Sequence, residues 1–386
     1  MELIITRSAL LKGLQRIQGI VERRNTMPIL ANVLIEATDR GVTLFATDLE
    51  LGIRATYPAT IKSRGAATVS ARKLFEIVRE LPEADIRLSG DEGHSVKVEC
   101  ERSRFKISGL PPSDFPVFPE VETEPALTIG RQTFLDLVRR TVFAVGENDA
   151  RYVLNGVLCA VERGSIKFVG TDGHRLAIDE RPLSLPKGGP PVADTSVIVP
   201  KKALLEMKKL VEDSPEEALA LHVSKTQLTF QQGDLVLLAR LMEGNYPNYR
   251  QVIPTGSDKR ITLDKSALEG ALRRVALLSK ERTNAVRFQV EPSRVVVSTS
   301  NPDLGEAKED LGVSYEGEPL TTGFNARYLL DVLGAIDAPE VINAIIIQQQ
   351  PGAAAGERLA GCGGIQVANF AVVELRQFHP GIEEVI

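Results

Sequence analysis

IKFVGTDGHRLAI, residues 166–178, sets an acid, a base and a cation side by side at the end of an apolar run: Asp172, His174 and Arg175. Taken alone it reads as a catalytic cluster. It does not stand alone. VTLFATDLELGI (42–53) carries the same apolar run and the same Thr–Asp pair, and Thr47 precedes Thr171 by 124 residues. A third run, RVVVSTSNPDLGEA (294–307), follows the pattern more loosely. A hydrolytic pair would not be expected to recur as a structural corner. An Asp at a strand end commonly accepts neighbouring backbone N–H groups, and this is the reading preferred for Asp48 and Asp172. His174 and Arg175 occur in the second copy only, so their role stays open at this point.

Working outward, two helical patterns recur in the same order. The first is SALLKGLQRI (8–17), QTFLDLVRRT (132–141) and SALEGALRRV (266–275). The second is ARKLFEIV (71–78), KKALLEMK (201–208) and ARYLLDVL (326–333). Ser8 to Gln132 is 124 residues, Ala71 to Lys201 is 130 and Lys201 to Ala326 is 125. Between them lie alternating, β-branched runs such as VRFQVE (286–291), which read as short strands. The spacing predicts an α+β chain of three repeated domains, each with two helices packed on largely antiparallel sheet. The boundaries expected are 1–121, 122–254 and 255–386. DFPVFP (114–119) and NYPNYRQVIP (245–254) close the first two units, and EVETEP (120–125) and TGSDKR (255–260) read as linkers.

The 386 residues are 43% hydrophobic and 25% charged, an ordinary globular composition without an 18-residue apolar run. MELIITRSALLKG is too mixed for a signal peptide. Cys100, Cys159 and Cys362 are dispersed, which suits a reducing cytoplasm, and the four histidines lack metal-ligand spacing. No P-loop is present, and no Gly-x-Gly-x-x-Gly follows a strand. Neither a metal nor a cofactor is expected. The net charge of −5 conceals a pattern, because the recurring helices are mostly basic. A first helix over 6–24 would bury Leu10, Leu14, Ile17 and Val21 and turn Lys12, Arg16 and Arg23 outward. In an acidic chain, basic helices arranged by a repeat suit a polyanion held through its phosphates.

Several stretches are specific: TMPILANVLIEA (26–37), ATDLEL (46–51), RSRFKISGLPPSDFP (102–116), RYVLNG (151–156), TDGHRLA (171–177), GNYPNYRQVIP (244–254) and GFNARYLLDVL (323–333). Over about residues 1–340 the chain resembles the β sliding clamps of bacterial DNA polymerase III. The resemblance implies three clamp-type domains that close head-to-tail with a second copy into a ring around duplex DNA. It implies a non-catalytic subunit that tethers the replicative polymerase, and partnership with the clamp loader and other proteins carrying clamp-binding motifs. Positions matched to DNA contacts are Arg24, Asn148, Arg151, Tyr152, Lys201 and Lys202. Positions matched to the partner-peptide cleft are Leu154, Thr171, Gly173, His174, Arg175, Leu176, Pro247 and Val252, with His174 and Arg175 as donors on the rim. For the dimer interface, a basic strand with Arg102, Arg104 and Phe105 would meet an acidic segment with Asp303 and Glu306, beside Leu277 and Leu278.

From about residue 342 the resemblance stops, and the Gln run, the Ala/Gly-rich middle and the missing Met-Pro pair fit either a different reading frame or a true divergence. FAVVELRQF (370–378) could still supply one strand. Two other readings compete with a clamp. A DNA-binding or scaffold protein without ring closure would follow if the altered end prevented pairing. A hydrolase would use Asp172 and His174.

Overall fold

The computed structural model describes residues 1–21, 27–119, 127–162, 164–183, 194–253, 261–279 and 283–337, and the backbone of 340–343 and 371–374. The chain packs as two compact units. One is Met1–Leu135 with Leu183–Ala193 and Val199–Glu243, and the other is Asp136–Pro182 with Asp194–Ile198 and Gly244–Ile386. Arg24 and both expected linkers lie outside the described residues.

Six α-helices stand among the described residues: α1 Arg7–Ile17, α2 Ala71–Glu80, α3 Arg131–Thr141, α4 Lys201–Glu212, α5 Lys265–Val275 and α6 Ala326–Ala335. They start where the two repeated patterns place them. Side chains cap four of them: Thr6, Ser70, Asp264 and Asn325 each accept a first-turn N–H of α1, α2, α5 and α6. The odd helices share a further device. The first residue of each reaches back to the last carbonyls of the helix that follows it in the repeat. Arg7 donates to Val78 O at 3.1 Å and Arg79 O at 2.6 Å. Arg131 donates to Val211 O at 3.0 Å and Glu212 O at 2.9 Å, and Lys265 Nζ to Ile336 O at 2.5 Å. A cation at a helix C-terminus satisfies orphan carbonyls and opposes the dipole.

In the first unit a five-stranded sheet runs Thr60–Ser63, Glu2–Thr6, Asp85–Gly90, Ser95–Cys100, Ser103–Ser108. An eight-stranded sheet joins the first two repeats, because Leu235–Arg240 pairs antiparallel with Leu51–Tyr57, Leu235 opposite Ala55. The second unit holds the sheet Thr195–Pro200, Gly156–Glu162, Ser165–Thr171, Arg175–Pro182, Ala371–Glu374 and the sheet Gly305–Gly312, Arg294–Asn301, Ala285–Glu291, Leu320–Asn325. A two-stranded pair, Ile261–Asp264 with Glu340–Asn343, completes it. The tail therefore supplies the strand foreseen at 370–378, as Ala371–Glu374, but parallel to Arg175–Ile178. The cores are helix-on-sheet. In the third repeat Leu268, Leu272 and Val275 of α5 and Leu333 of α6 pack on Val286, Phe288, Val295 and Val297. Each such side chain contributes about 1.5–3 kcal/mol on burial.

Two expectations about the helices are corrected. The first helix is shorter than 6–24. After Ile17 the bonds turn mixed, with Gln18 N–H to Gln15 O and Ile20 N–H to Ile17 O at i−3 beside Val21 N–H to Ile17 O at i−4, and the α-helix ends. Nor do its cations point outward together: Arg7 caps α2, half-buried Arg16 donates to Tyr57 Oη at 3.4 Å, and Lys12 is exposed. Many helix cations are also matched by carboxylates, as Arg273 is by Glu269, Arg274 by Glu309, Lys208 by Glu212 and Lys209 by Glu206. The charge summed from the sequence thus overstates what these helices offer a phosphate.

Candidate functional site: the Thr-Asp corner and its apolar floor

The corner at 171–176 is built from two short side chains. Thr171 Oγ1 donates to Arg175 O at 2.6 Å and accepts from Gly173 N–H at 3.1 Å. Asp172 Oδ1 accepts the N–H groups of His174 and Arg175 at 2.9 and 3.0 Å, and Oδ2 accepts Arg175 Nε at 3.0 Å. The corner at 47–51 repeats the set. Thr47 Oγ1 donates to Leu51 O and accepts from Leu49 N–H, while Asp48 Oδ1 accepts from Glu50 and Leu51 N–H at 2.9 and 2.6 Å. Its Oδ2 takes Lys202 Nζ at 2.5 Å. The third position is left-handed in both, Gly173 at φ 82° and Leu49 at φ 78°. A Cβ on Gly173 would also lie 2.6 Å from the Arg151 guanidinium. The Asp172 carboxylate is committed to the backbone and to Arg175, and His174 is exposed beside it. The described bonds of the Asp172 carboxylate go to backbone and to Arg175, so this geometry does not favour Asp172 and His174 as a hydrolytic pair.

Below the corner, Val169, Leu176 and Ile178 form an apolar floor on one sheet face, with Leu158 beside Val169 on the neighbouring strand and Tyr246, Tyr249 and Ile253 packed against it. Tyr246 Oη donates to Val169 O at 3.1 Å, and burial pushes its phenol well above the ordinary range. Of the cleft candidates, Leu154, Thr171 and Leu176 are buried, whereas His174, Pro247 and Val252 are exposed. Arg175 departs from its expected place on the rim. It is 9% exposed, donates through Nη1 to Asp331 Oδ2 at 2.6 Å, and lies 4.4 Å from the centroid of the Tyr328 ring. Tyr328 and Asp331 were missed in the sequence. Their three-residue spacing in ARYLLDVL puts both on one face of α6, but that face acquires meaning only through a residue 156 positions away.

The DNA candidates divide between the units. Asn148, at φ 58°, and Arg151 and Tyr152 share an exposed loop in the second unit. Arg151 pairs with Asp149 at 2.8 Å and donates to Asp172 O at 2.9 Å, and its hydrogen bonds hold the Asp149 carboxyl down to about 2. Tyr152 is 56% exposed. Lys201 and Lys202 open α4 in the first unit, with Lys202 on Asp48. A shallow charged groove of about 580 Å³ lies at the far end of the same sheet, between Glu162, Lys167, Glu180 and Arg250. Among the described residues no group of His, Cys, Asp and Glu could hold a metal, and no helix is long and apolar enough to cross a membrane.

Three consecutive segments match family models of the DNA polymerase III beta subunit: residues 1–119 the N-terminal, 128–248 the central and 250–350 the C-terminal domain. The chain belongs to the DNA polymerase III beta subunit family. It is 40% identical over 347 residues to the beta sliding clamp of Caulobacter vibrioides, covering 88% of this chain and 92% of that one. The beta subunit of Pseudomonas aeruginosa superposes with a TM-score of 0.80 at 35% identity, over 88% and 92% of the two chains. A structure of the Pseudomonas aeruginosa clamp bound to griselimycin gives 0.79 at 35%, over 88% and 91%.

The remaining candidates lie on or beside two strand edges and just past the end of α5. Ser103–Ser108 ends the five-stranded sheet, with Arg104 and the 41% exposed Phe105 on it and Arg102 just before. Gly305–Gly312 ends the four-stranded sheet and carries Glu306, with Asp303 and Leu304 in the preceding turn. Leu277 is 77% exposed and Leu278 half-buried at the end of α5. Among the described residues each edge strand has one strand neighbour.

Proposed function

We propose that this chain is the sliding clamp of a bacterial replicative polymerase: a non-catalytic ring of two copies that encircles duplex DNA and tethers the polymerase to it. The carrying observation is the match of all three segments, in order, to the beta-subunit domains. Module limits of 1–121, 122–254 and 255–386 follow the repeat. Head-to-tail closure is supported by one basic and one acidic sheet edge, with exposed Phe105 on the first and exposed Leu304 in the turn before the second. Contacts to DNA need no base recognition. Loose phosphate contacts from Asn148, Tyr152, Lys201 and their neighbours let a ring move, whereas bidentate base contacts would hold it in place. Partner segments dock at the corner and apolar floor of the second module, where Pro247, Val252 and His174 line the opening. Work on DNA puts the protein in the bacterial cytoplasm.

The test is topological. Once loaded by its clamp loader, the protein should remain on nicked circular DNA and run off the linear form. Equal loss from both would reject encirclement.

A further inference from the structure

Helix α4 opens with Lys201 and Lys202, two of the positions proposed to meet DNA, and carries Lys209 two turns on. Two of these lysines stand over carboxylates. Lys202 Nζ lies 2.5 Å from Asp48 Oδ2, and Lys209 Nζ lies 2.7 Å from Glu206 Oε1. In both pairs the carboxylate is the sunken member. The Asp48 side chain is 5% exposed against 38% for Lys202, and that of Glu206 is 11% exposed against 64% for Lys209. Neither carboxylate can follow its cation outward. Asp48 Oδ1 already holds the N–H groups of Glu50 and Leu51. Glu206 is pressed on the turn after α1, where a Cβ on Gly19 would run into its carboxylate. Helix α5 repeats the arrangement with Glu269 beneath Arg273. Lys208 and Glu212, also on α4, have the opposite order, the carboxylate being the more exposed.

Such pairs matter to a protein that moves along its ligand. A cation over a fixed carboxylate still offers outward N–H donors to a phosphate, but its charge is largely balanced from below. Each phosphate contact then releases little counterion and exchanges readily for the next. A lysine without that balance would hold its phosphate harder.

We propose that Asp48 and Glu206 are positioning residues that leash Lys202 and Lys209, and so keep the grip on duplex DNA weaker than the lysines alone would make it. The proposal rests on the encirclement reading above. Ease of sliding is then set by sunken carboxylates as much as by the number of cations.

The test uses the full chain, loaded on nicked circles for retention and on a long duplex with blocked ends for single-molecule diffusion. Asp48→Asn keeps an oxygen for the two N–H groups, and Glu206→Gln keeps the side-chain volume. Each therefore releases a cation from its carboxylate with the fold in place, and the two sites are independent, so either variant alone suffices. Diffusion should slow about threefold in each. In direct binding to a short duplex, the slope of log K against log salt should steepen by about one. Adding Lys202→Met to Asp48→Asn should cancel the slowing, which a merely loosened fold would not allow. Glu212→Gln, the same change of charge on the same helix, should slow diffusion far less. Diffusion unchanged or faster in Asp48→Asn and Glu206→Gln, or slowed equally by Glu212→Gln, would overturn the leash and leave encirclement standing. Loss of the unmodified protein from nicked circles as fast as from linear DNA would reject encirclement, and the leash with it.

Discussion

At the scale of single residues, the Thr–Asp corner shows how similar side chains acquire different work. Asp48 and Asp172 both turn one oxygen to two backbone N–H groups, and the second oxygen then takes Lys202 in one case and Arg175 in the other. Removing the Asp172 carboxylate strands two N–H groups and one face of a guanidinium that water barely reaches. Asp172→Ala should therefore cost about 2–3 kcal/mol in urea denaturation. His174→Ala, at an exposed position, should cost under about 0.5 kcal/mol. Equal effects of the two would contradict the assignment. The role of Asp172 was legible in the sequence because the repeat duplicates it without His or Arg. That of Arg175 was not, since the carboxylate and ring that enclose it come from a distant segment whose facing no local pattern reveals.

At the scale of elements, the helices repeat a rule that sequence periodicity brings out only in part. The pattern placed the helix starts well, because apolar spacing and caps are local. It misjudged the cations, because a charge on a helix says nothing of which carboxylate or carbonyl lies across from it. Arg131 spans two carbonyls at the end of α4, so Arg131→Met, which keeps the stem but not the donors, should destabilise the protein by about 1–2 kcal/mol. No change in the unfolding midpoint would show that solvent caps α4 equally well. Asp337 carries a pH signature. The hydrogen bonds of Arg139 and then Arg140 hold its carboxyl well below the usual range. A depressed folded value means stability fully present above the unfolded pKa of about 4 and lost progressively as pH falls from there through the lower folded value. Nearby Asp179 works in the opposite sense: burial raises its carboxyl despite Arg181 and Arg140 alongside, and Asp136 adds to that rise. Asp337→Asn separates the two. Its melting temperature should trail the unmodified protein near neutral pH, with the gap starting to narrow below about pH 4 and closing only as pH approaches the depressed folded value. A constant gap would exclude the carboxylate as the source. The Asp337 side chain is 60% exposed, so salt should narrow the neutral gap as well.

At the scale of the whole molecule, the junctions between repeats are made by sheet. Leu51–Tyr57 meets Leu235–Arg240 antiparallel at the first, whereas Arg175–Ile178 meets Ala371–Glu374 in parallel. That departure falls in the segment whose sequence leaves the family pattern, and alternation over a few residues fixes a strand without fixing its direction. The two outer edges carry the last prediction. Complementary charge suits a head-to-tail orientation with Phe105, Leu277 and Leu278 as the apolar part, and much of that charge is already engaged within the chain. Glu309 is held by Arg274 at 2.6 Å, Arg104 lies 3.4 Å from Glu99, and Lys106 lies 3.2 Å from Asp91. Exposed pairs are worth about 0.2–1 kcal/mol, whereas burying a Leu or Phe side chain contributes about 1.5–3 kcal/mol. Charge should then set the orientation of the two copies, and Phe105 and Leu277 most of the affinity. In sedimentation equilibrium, Leu277→Ala should weaken self-association by about tenfold or more, with no dependence on salt. Arg104→Ala should weaken it less than about fivefold, and about 0.5 M salt should erase the difference. A larger loss from Arg104→Ala than from Leu277→Ala would place the energy of closure in the ion pairs.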